Sequence, residues 1–282
     1  MVRRSERHAN RPTPTVERVQ PMSSGNRLQS NRWELKYVID EETAGRVRKF
    51  VNSYLEPDEN NDPRQPNGYP VRSLYLDSPN RKLYWQTIQG AKNRFKLRIR
   101  FYDDEPHSPA FLEIKRRVTT TILKKRAEVR REGIRRLLVH GHASVCELLG
   151  EKASNAAKYA LHDFCRLRDG ISATGMAYVS YLREAYVSPV SNQIRVTFDR
   201  QIEGGAYEPG TDLIMPPQLH PTKIGGVVLE LKFTGRFPSW MGDVVHTFNL
   251  EARSVPKYIV CVDALDRDRQ RGRMTRSGAM SR

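Results

Sequence analysis

The sequence predicts an α+β protein: a closed, eight-stranded, mostly antiparallel β-barrel forming a tunnel, with helices packed outside. Three observations lead there. Glu34-Leu35-Lys36, Lys96-Leu97-Arg98-Ile99-Arg100, Glu113-Ile114-Lys115 and Glu230-Leu231-Lys232 each set ionic side chains on alternate residues with apolar ones between. In an extended strand, residues i and i+2 share a face, so each stretch carries charge on one side and Leu or Ile on the other. Eight strand-like segments alternate with helical ones in 282 residues, a length that suits one barrel domain. One half-buried sheet would turn its charges to water; four such faces together are better served by a charged interior and a helix-covered exterior.

The first strand, Arg32–Ile39, puts Trp33, Leu35, Tyr37 and Ile39 on one face and Glu34 and Lys36 on the other. Asp40 then caps a helix over Glu41–Leu55, where Ala44, Val47, Phe50, Val51, Tyr54 and Leu55 keep the three-and-four spacing of an amphipathic helix. Pro57–Pro70, rich in Asp, Asn and Pro, reads as a loop, and Val71–Asp77 as a strand. Ser78-Pro79 opens a short helix to about Gln89. Strands Arg94–Tyr102, Ala110–Arg117 and Thr121–Val129 form a meander, followed by paired helices over Glu132–Leu149 and Ser154–Asp169. Strands Ala177–Val187, Gln193–Asp199 and Gly226–Phe233, a helix over Ser239–Phe248 and the segment Lys257–Leu265 complete the ordered part.

The formal net charge is +16, and its distribution is uneven. Residues 1–32 hold seven Arg against Glu6 and Glu17, and residues 266–282 hold six Arg against Asp266 and Asp268. Neither end carries Lys or many large apolar residues, so 1–30 and 266–282 read as disordered basic tails around a 31–265 domain. Nucleic-acid contact through these Arg-rich tails is a weakly signalled expectation. Cys146, Cys165 and Cys261 have no metal-ligand spacing and read as buried, reduced thiols. No apolar run approaches a transmembrane segment and the N-terminus has no secretory apolar core, so a cytoplasmic, soluble protein is expected.

Alternation gathers Glu34, Lys36, Lys96, Arg98, Arg100, Glu113, Lys115, Tyr181, Arg183, Arg195, Glu230 and Lys232 on the charged faces. Cations dominate, and unpaired buried cations cost about several kcal/mol each. A chain of phosphates would offset that cost along the tunnel, with Arg forks and Lys point charges meeting successive phosphoryl groups. The few carboxylates among the cations suggest a hard divalent metal that also contacts phosphate oxygens.

These residues resemble a known family. Glu34-Leu35-Lys36-Tyr37, Lys96 to Tyr102, Phe111-Leu112-Glu113-Ile114-Lys115, Tyr181-Leu182-Arg183, Ile194 to Asp199, Leu229-Glu230-Leu231-Lys232 and Lys257-Tyr258 are similar, in order and spacing, to the polyphosphate polymerase domain of the vacuolar transporter chaperone proteins. That domain is a triphosphate tunnel metalloenzyme. The resemblance covers about residues 31 to 265, and the Ser usual before the last Lys-Tyr is Pro256 here. It implies a closed tunnel for ATP and for polyphosphate or tripolyphosphate, with Mn²⁺ or Mg²⁺. By motif match it implies catalytic roles for Arg98, Arg100, Lys115, Arg183 and Arg195. Phosphate binding falls to Lys36, Lys96, Lys124, Tyr181, Lys232 and Lys257, and metal binding to Glu230 and, less firmly, Glu113.

The expected activity is transfer of the γ-phosphoryl of ATP to a growing polyphosphate chain, since phosphoryl transfer needs positioning and charge neutralisation more than a covalent nucleophile. Hydrolysis of tripolyphosphate or a nucleoside triphosphate is one alternative. A polyphosphate-binding module without turnover is another.

Overall fold

Why the chain folds into one large sheet follows from the alternation just described. In the computed structural model, the elements are β1 (Arg32–Ile39), α1 (Glu41–Val51), β2 (Glu56–Pro57), β3 (Tyr69–Asp77), α2 (Lys82–Ile88), β4 (Asn93–Phe101), β5 (Ala110–Val118), β6 (Thr121–Val129), α3 (Glu132–Val139), α4 (Val145–Leu149), α5 (Asn155–Asp169), β7 (Thr174–Val187), β8 (Arg195–Ala206), β9 (His220–Pro221), β10 (Val227–Thr234), α6 (Ser239–Thr247) and α7 (Lys257–Ala279). The structure describes residues 32–279 except 62–64, 66–67, 120, 140, 142–144, 150–152 and 192. The tail expected over 1–30 therefore lies outside the described residues.

All eight expected strands are present, in the order β1-β10-β8-β7-β3-β4-β5-β6, with every pairing antiparallel; β2 adds to β7 and β9 to β8. The expected closed barrel is corrected in one respect. Among the described residues no backbone pairing joins β6 to β1, so the sheet is not closed by hydrogen bonds. It curls far enough for Lys115 of β5 to reach Glu34 of β1 at 2.9 Å, and side chains bridge the seam instead. The Arg253 N–H also donates to the Lys36 carbonyl at 2.8 Å and satisfies part of the free β1 edge. A period of two fixes which face is charged; it does not fix whether the last strand meets the first.

The convex face is apolar and covered by helices in two places. Leu97, Ile99, Leu112, Ile114 and Val129 pack with Ile134, Leu137, Leu161 and Phe164 of α3 and α5. On the other half, Tyr37, Phe198, Leu229 and Leu231 pack with Ala44 and Val47 of α1 and with Met241 and Val244 of α6. The helix α7 departs from the expectation of helices outside. Its Tyr258, Ile259, Cys261, Val262 and Leu265 pack among Val71, Tyr75, Ala177, Val179 and Val228, on the faces that the charged residues share.

Several boundaries differ from the sequence reading. The helix expected over 132–149 divides into α3 and α4, α1 ends at Val51, and α7 continues past Leu265 to Ala279, into the stretch 266–282 expected as a disordered basic tail. The helix expected from Pro79 begins only at Lys82, because Asp77 and Ser78 cap it across a turn with Arg81 at φ 57°. Asp77 accepts from the Leu83 and Tyr84 N–H groups at 2.8 and 2.9 Å, and Ser78 accepts from that of Lys82 at 2.9 Å. Cys261 is a buried free thiol and Cys165 a half-buried one; the Cys146 side chain lies outside the described residues. Among the described residues no helix is long and apolar enough to cross a membrane.

Candidate functional site

The concave face gathers most of the residues that alternation selected. A cavity of about 120 Å³ is lined by Lys36, Lys96, Arg98, Arg100, Lys115, Tyr181, Arg183, Glu230, Lys232 and Lys257. Lys257 arrives from the first residue of α7 rather than from a strand. Three expected site residues do not line this cavity. Glu113 lies behind Arg98 and holds Lys124 at 2.9 Å, while Arg195 contacts Asp58 at 2.8 Å and the Tyr69 hydroxyl at 3.3 Å.

Two ionic clusters organise the face. In the first, Glu230 meets Lys232 at 2.5 Å, Lys257 at 2.8 Å, Lys36 at 3.4 Å and Arg183 at 3.6 Å. Asp199 holds Arg183 and Lys257, each at 2.7 Å, and Glu34 holds Lys36 and Lys115, each at 2.9 Å. In the second, Glu113 meets Arg98 at 2.6 Å, Lys124 at 2.9 Å, Arg126 at 3.7 Å and Arg100 at 3.9 Å. Tyrosines complete the set: Arg98 donates to the Tyr75 hydroxyl at 3.1 Å and Arg100 to that of Tyr181 at 3.2 Å.

Burial and charge act against each other here. Burial raises the Glu230 carboxyl, but Lys232, Lys257, Lys36 and Arg183 together hold it well below the usual carboxylate range. Asp199 follows the same pattern, with Arg183 and Lys257 overcoming burial, as does Glu113 with Arg98, Arg100 and Lys124. All three are therefore ionised at neutral pH. Two ammonium groups move the other way. Burial pushes Lys232 down to about 8 in spite of Glu230. Burial, with the nearby Lys36, Lys115 and Arg94, also pushes Lys96 down to about 8, and among the described residues no carboxylate pairs with it.

Sequence reasoning missed Asp199, Arg126, Asp58 and Tyr75. The first two were legible: Asp199 follows Arg195 by four on one face of β8, and Arg126 follows Lys124 by two on β6. Asp58 sits in a loop where no period operates.

Glu230 and Glu113, expected to share a metal, belong to different clusters with no cation in common. Among the described residues no group of three or more His, Cys, Asp or Glu could hold a metal ion. The donors near Glu230 are nevertheless all oxygen. Asp199 is joined to it through Lys257, and Thr197, directly opposite Glu230 in the β8–β10 register, has a buried Oγ1 without a partner. Such a set fits a hard divalent cation that takes its remaining ligands from phosphate and water.

No curated protein sequence matches the chain. A solved structure described as a "putative adenylate cyclase" from Bacillus halodurans is 15% identical, with 80% of this chain and 94% of that one covered and a TM-score of 0.45. The VTC domain family matches residues 31–266, which span every strand and every cluster described above. The chain belongs to the VTC domain family.

Proposed function

We propose that this protein is a metal-dependent polyphosphate polymerase that transfers the γ-phosphoryl group of ATP to the end of a polyphosphate chain. The observation that carries the reading is the cavity wall itself: Lys36, Lys96, Arg98, Arg100, Lys115, Arg183, Lys232 and Lys257 converge on one space. A phosphoryl group in flight carries charge on its peripheral oxygens, so preorganised cations lower the barrier without supplying a nucleophile. In this reading Arg98, Arg100, Lys115 and Arg183 neutralise the reacting phosphates, with Arg195 at the margin. The groups Lys36, Lys96, Tyr181, Lys232 and Lys257 hold the rest of the chain, and Lys124, paired with Glu113 outside the cavity lining, adds its charge from farther off.

A Mn²⁺ or Mg²⁺ ion held by Glu230 would add Lewis-acid neutralisation of phosphate oxygens. Glu113 takes a different part. With four cations around it, it fixes the forks of Arg98 and Arg100 in place. The wall pairs Glu34, Glu113, Asp199 and Glu230 each with two or more cations, so it is built to gather phosphates, donor and acceptor alike, which favours transfer to phosphate. Incubation with ATP and Mn²⁺ tests this: long-chain polyphosphate supports polymerase activity. Free phosphate alone would indicate a hydrolase, and neither product a binding module.

A further inference from the structure

We infer that a second cavity at the seam, beside the β1 edge, is a subsite for the part of a polyphosphate chain that extends beyond a triphosphate. This inference rests on the polymerase reading. The cavity has a volume of about 250 Å³ and shares Glu34, Lys36, Lys96 and Lys115 with the inner one, so the two adjoin across those side chains. The charged side chains it adds are Arg94, Arg117 and Arg253.

The charge balance changes along the β4–β5 ladder. Arg98 faces Glu113, an opposite-charge pair; the next two cross-strand pairs on that face are Lys96 with Lys115 and Arg94 with Arg117. Like charges directly opposite one another destabilise a sheet. Lys115 is answered across the seam by Glu34, whereas among the described residues no carboxylate pairs with Arg94 or Arg117. Among the described residues the Arg94 side chain donates only to the Ala91 carbonyl, at 2.5 Å, and that of Arg117 only to the Thr119 carbonyl, at 2.9 Å, which leaves most of their donors for a ligand. Burial, together with Arg117, lowers the Arg94 guanidinium from its ordinary value. Among the described residues the Arg253 side chain meets only Glu251, at 3.4 Å, in an exposed pair.

Two consecutive like-charged pairs leading out of a cationic cavity call for an extended anion. A nucleoside is the poorer occupant. The lining has Ile122, Val255 and Pro256 but no aromatic ring on which a base could stack. Phosphates meet the exposed forks directly and in series.

The test compares binding of tripolyphosphate, ATP and long-chain polyphosphate to the full-length protein and to an Arg94→Gln/Arg117→Gln variant, with Arg253→Gln as a second variant away from the sheet. The expected result is that wild type prefers the long chain and that the double variant loses about five- to tenfold of that preference, as the loss of two or three partly exposed charge contacts implies. Tripolyphosphate affinity should stay within about twofold, and Arg253→Gln should lower long-chain affinity by a smaller factor. Equal losses for tripolyphosphate and the long chain, or no loss for either, would overturn the subsite. A selective loss of ATP binding would overturn it too, by giving the seam to the nucleoside. A wild type that binds none of the three phosphates would instead bring down the polymerase reading on which the subsite rests.

Discussion

Lys115 of β5 and Glu34 of the edge strand β1 meet at 2.9 Å across a seam that no backbone hydrogen bond spans. The same carboxylate holds Lys36 at 2.9 Å, so one charge ties the seam to the wall of the inner cavity. A double-mutant cycle of Glu34→Gln and Lys115→Met should give a coupling of about 0.5–1 kcal/mol at low salt, because Lys115 is more than a third exposed and solvent screens the pair. The coupling should fall in 1 M salt. Zero coupling at low salt would mean that the seam stands open in solution.

The strands and the seam differ in how much of them the sequence discloses. Alternation in Lys96 to Arg100 or Glu230 to Lys232 is local and survives any tertiary arrangement, so all eight strands and the charged face were legible. It also continued outward to Arg94 and Arg117, two residues beyond Lys96 and Lys115, where the ladder could have been followed further. The contact between β5 and β1 was not legible, since it depends on accumulated twist and tilt across eight strands. Nor was the insertion of α7, because the apolar residues Tyr258, Val262 and Leu265 suit a concave surface as well as a convex one. Arg195 was found by its motif, but its partner Asp58 comes from an aperiodic loop.

Glu230 is buried among four cations, so Glu230→Gln leaves Lys36, Arg183, Lys232 and Lys257 short of one counter-charge. The ligand-free variant should lose about 3–5 kcal/mol of stability, the scale for breaking a buried ion pair. Metal-free tripolyphosphate binding should tighten, because a repelling carboxylate has gone. Turnover and any metal-dependent gain in tripolyphosphate affinity should be lost. Calorimetric titration with and without Mn²⁺ decides the matter: a variant that keeps the metal-dependent gain would exclude Glu230 as a ligand.

Glu113→Gln separates a carboxylate that orients arginines from one that holds metal. Arg98 Nε donates to Glu113 at 2.7 Å, so the amide would leave that fork without a full counter-charge. The variant should lose stability comparably and lower kcat by about tenfold or more, since misplaced charges act mainly in the transition state. Its Mn²⁺ requirement should be unchanged. An altered metal dependence would return Glu113 to the metal site.

The pH dependence follows from Lys96 and Lys232, both held near 8 by burial against an ordinary lysine value of 10.5. Below pH 8 both are charged in the folded and unfolded states, and the fold bears their desolvation cost. Between about pH 8 and 10.5 the unfolded chain binds more protons than the folded one, so these two groups make the ligand-free protein more stable as pH rises. Phosphate binding needs the charged forms and runs in the opposite direction. Lys36 and Lys257, raised above their ordinary values by Glu230 and by Glu34 or Asp199 in spite of burial, stay charged throughout this window and keep a residual affinity. The thermal shift produced by tripolyphosphate should therefore shrink between pH 7 and 9 without vanishing. In a Lys96→Met variant it should be smaller at pH 7 and less sensitive to pH. Melting curves of both proteins at pH 7, 8 and 9, with and without tripolyphosphate, measure this directly. An identical pH slope in the variant would show that Lys96 does not titrate against the bound phosphates.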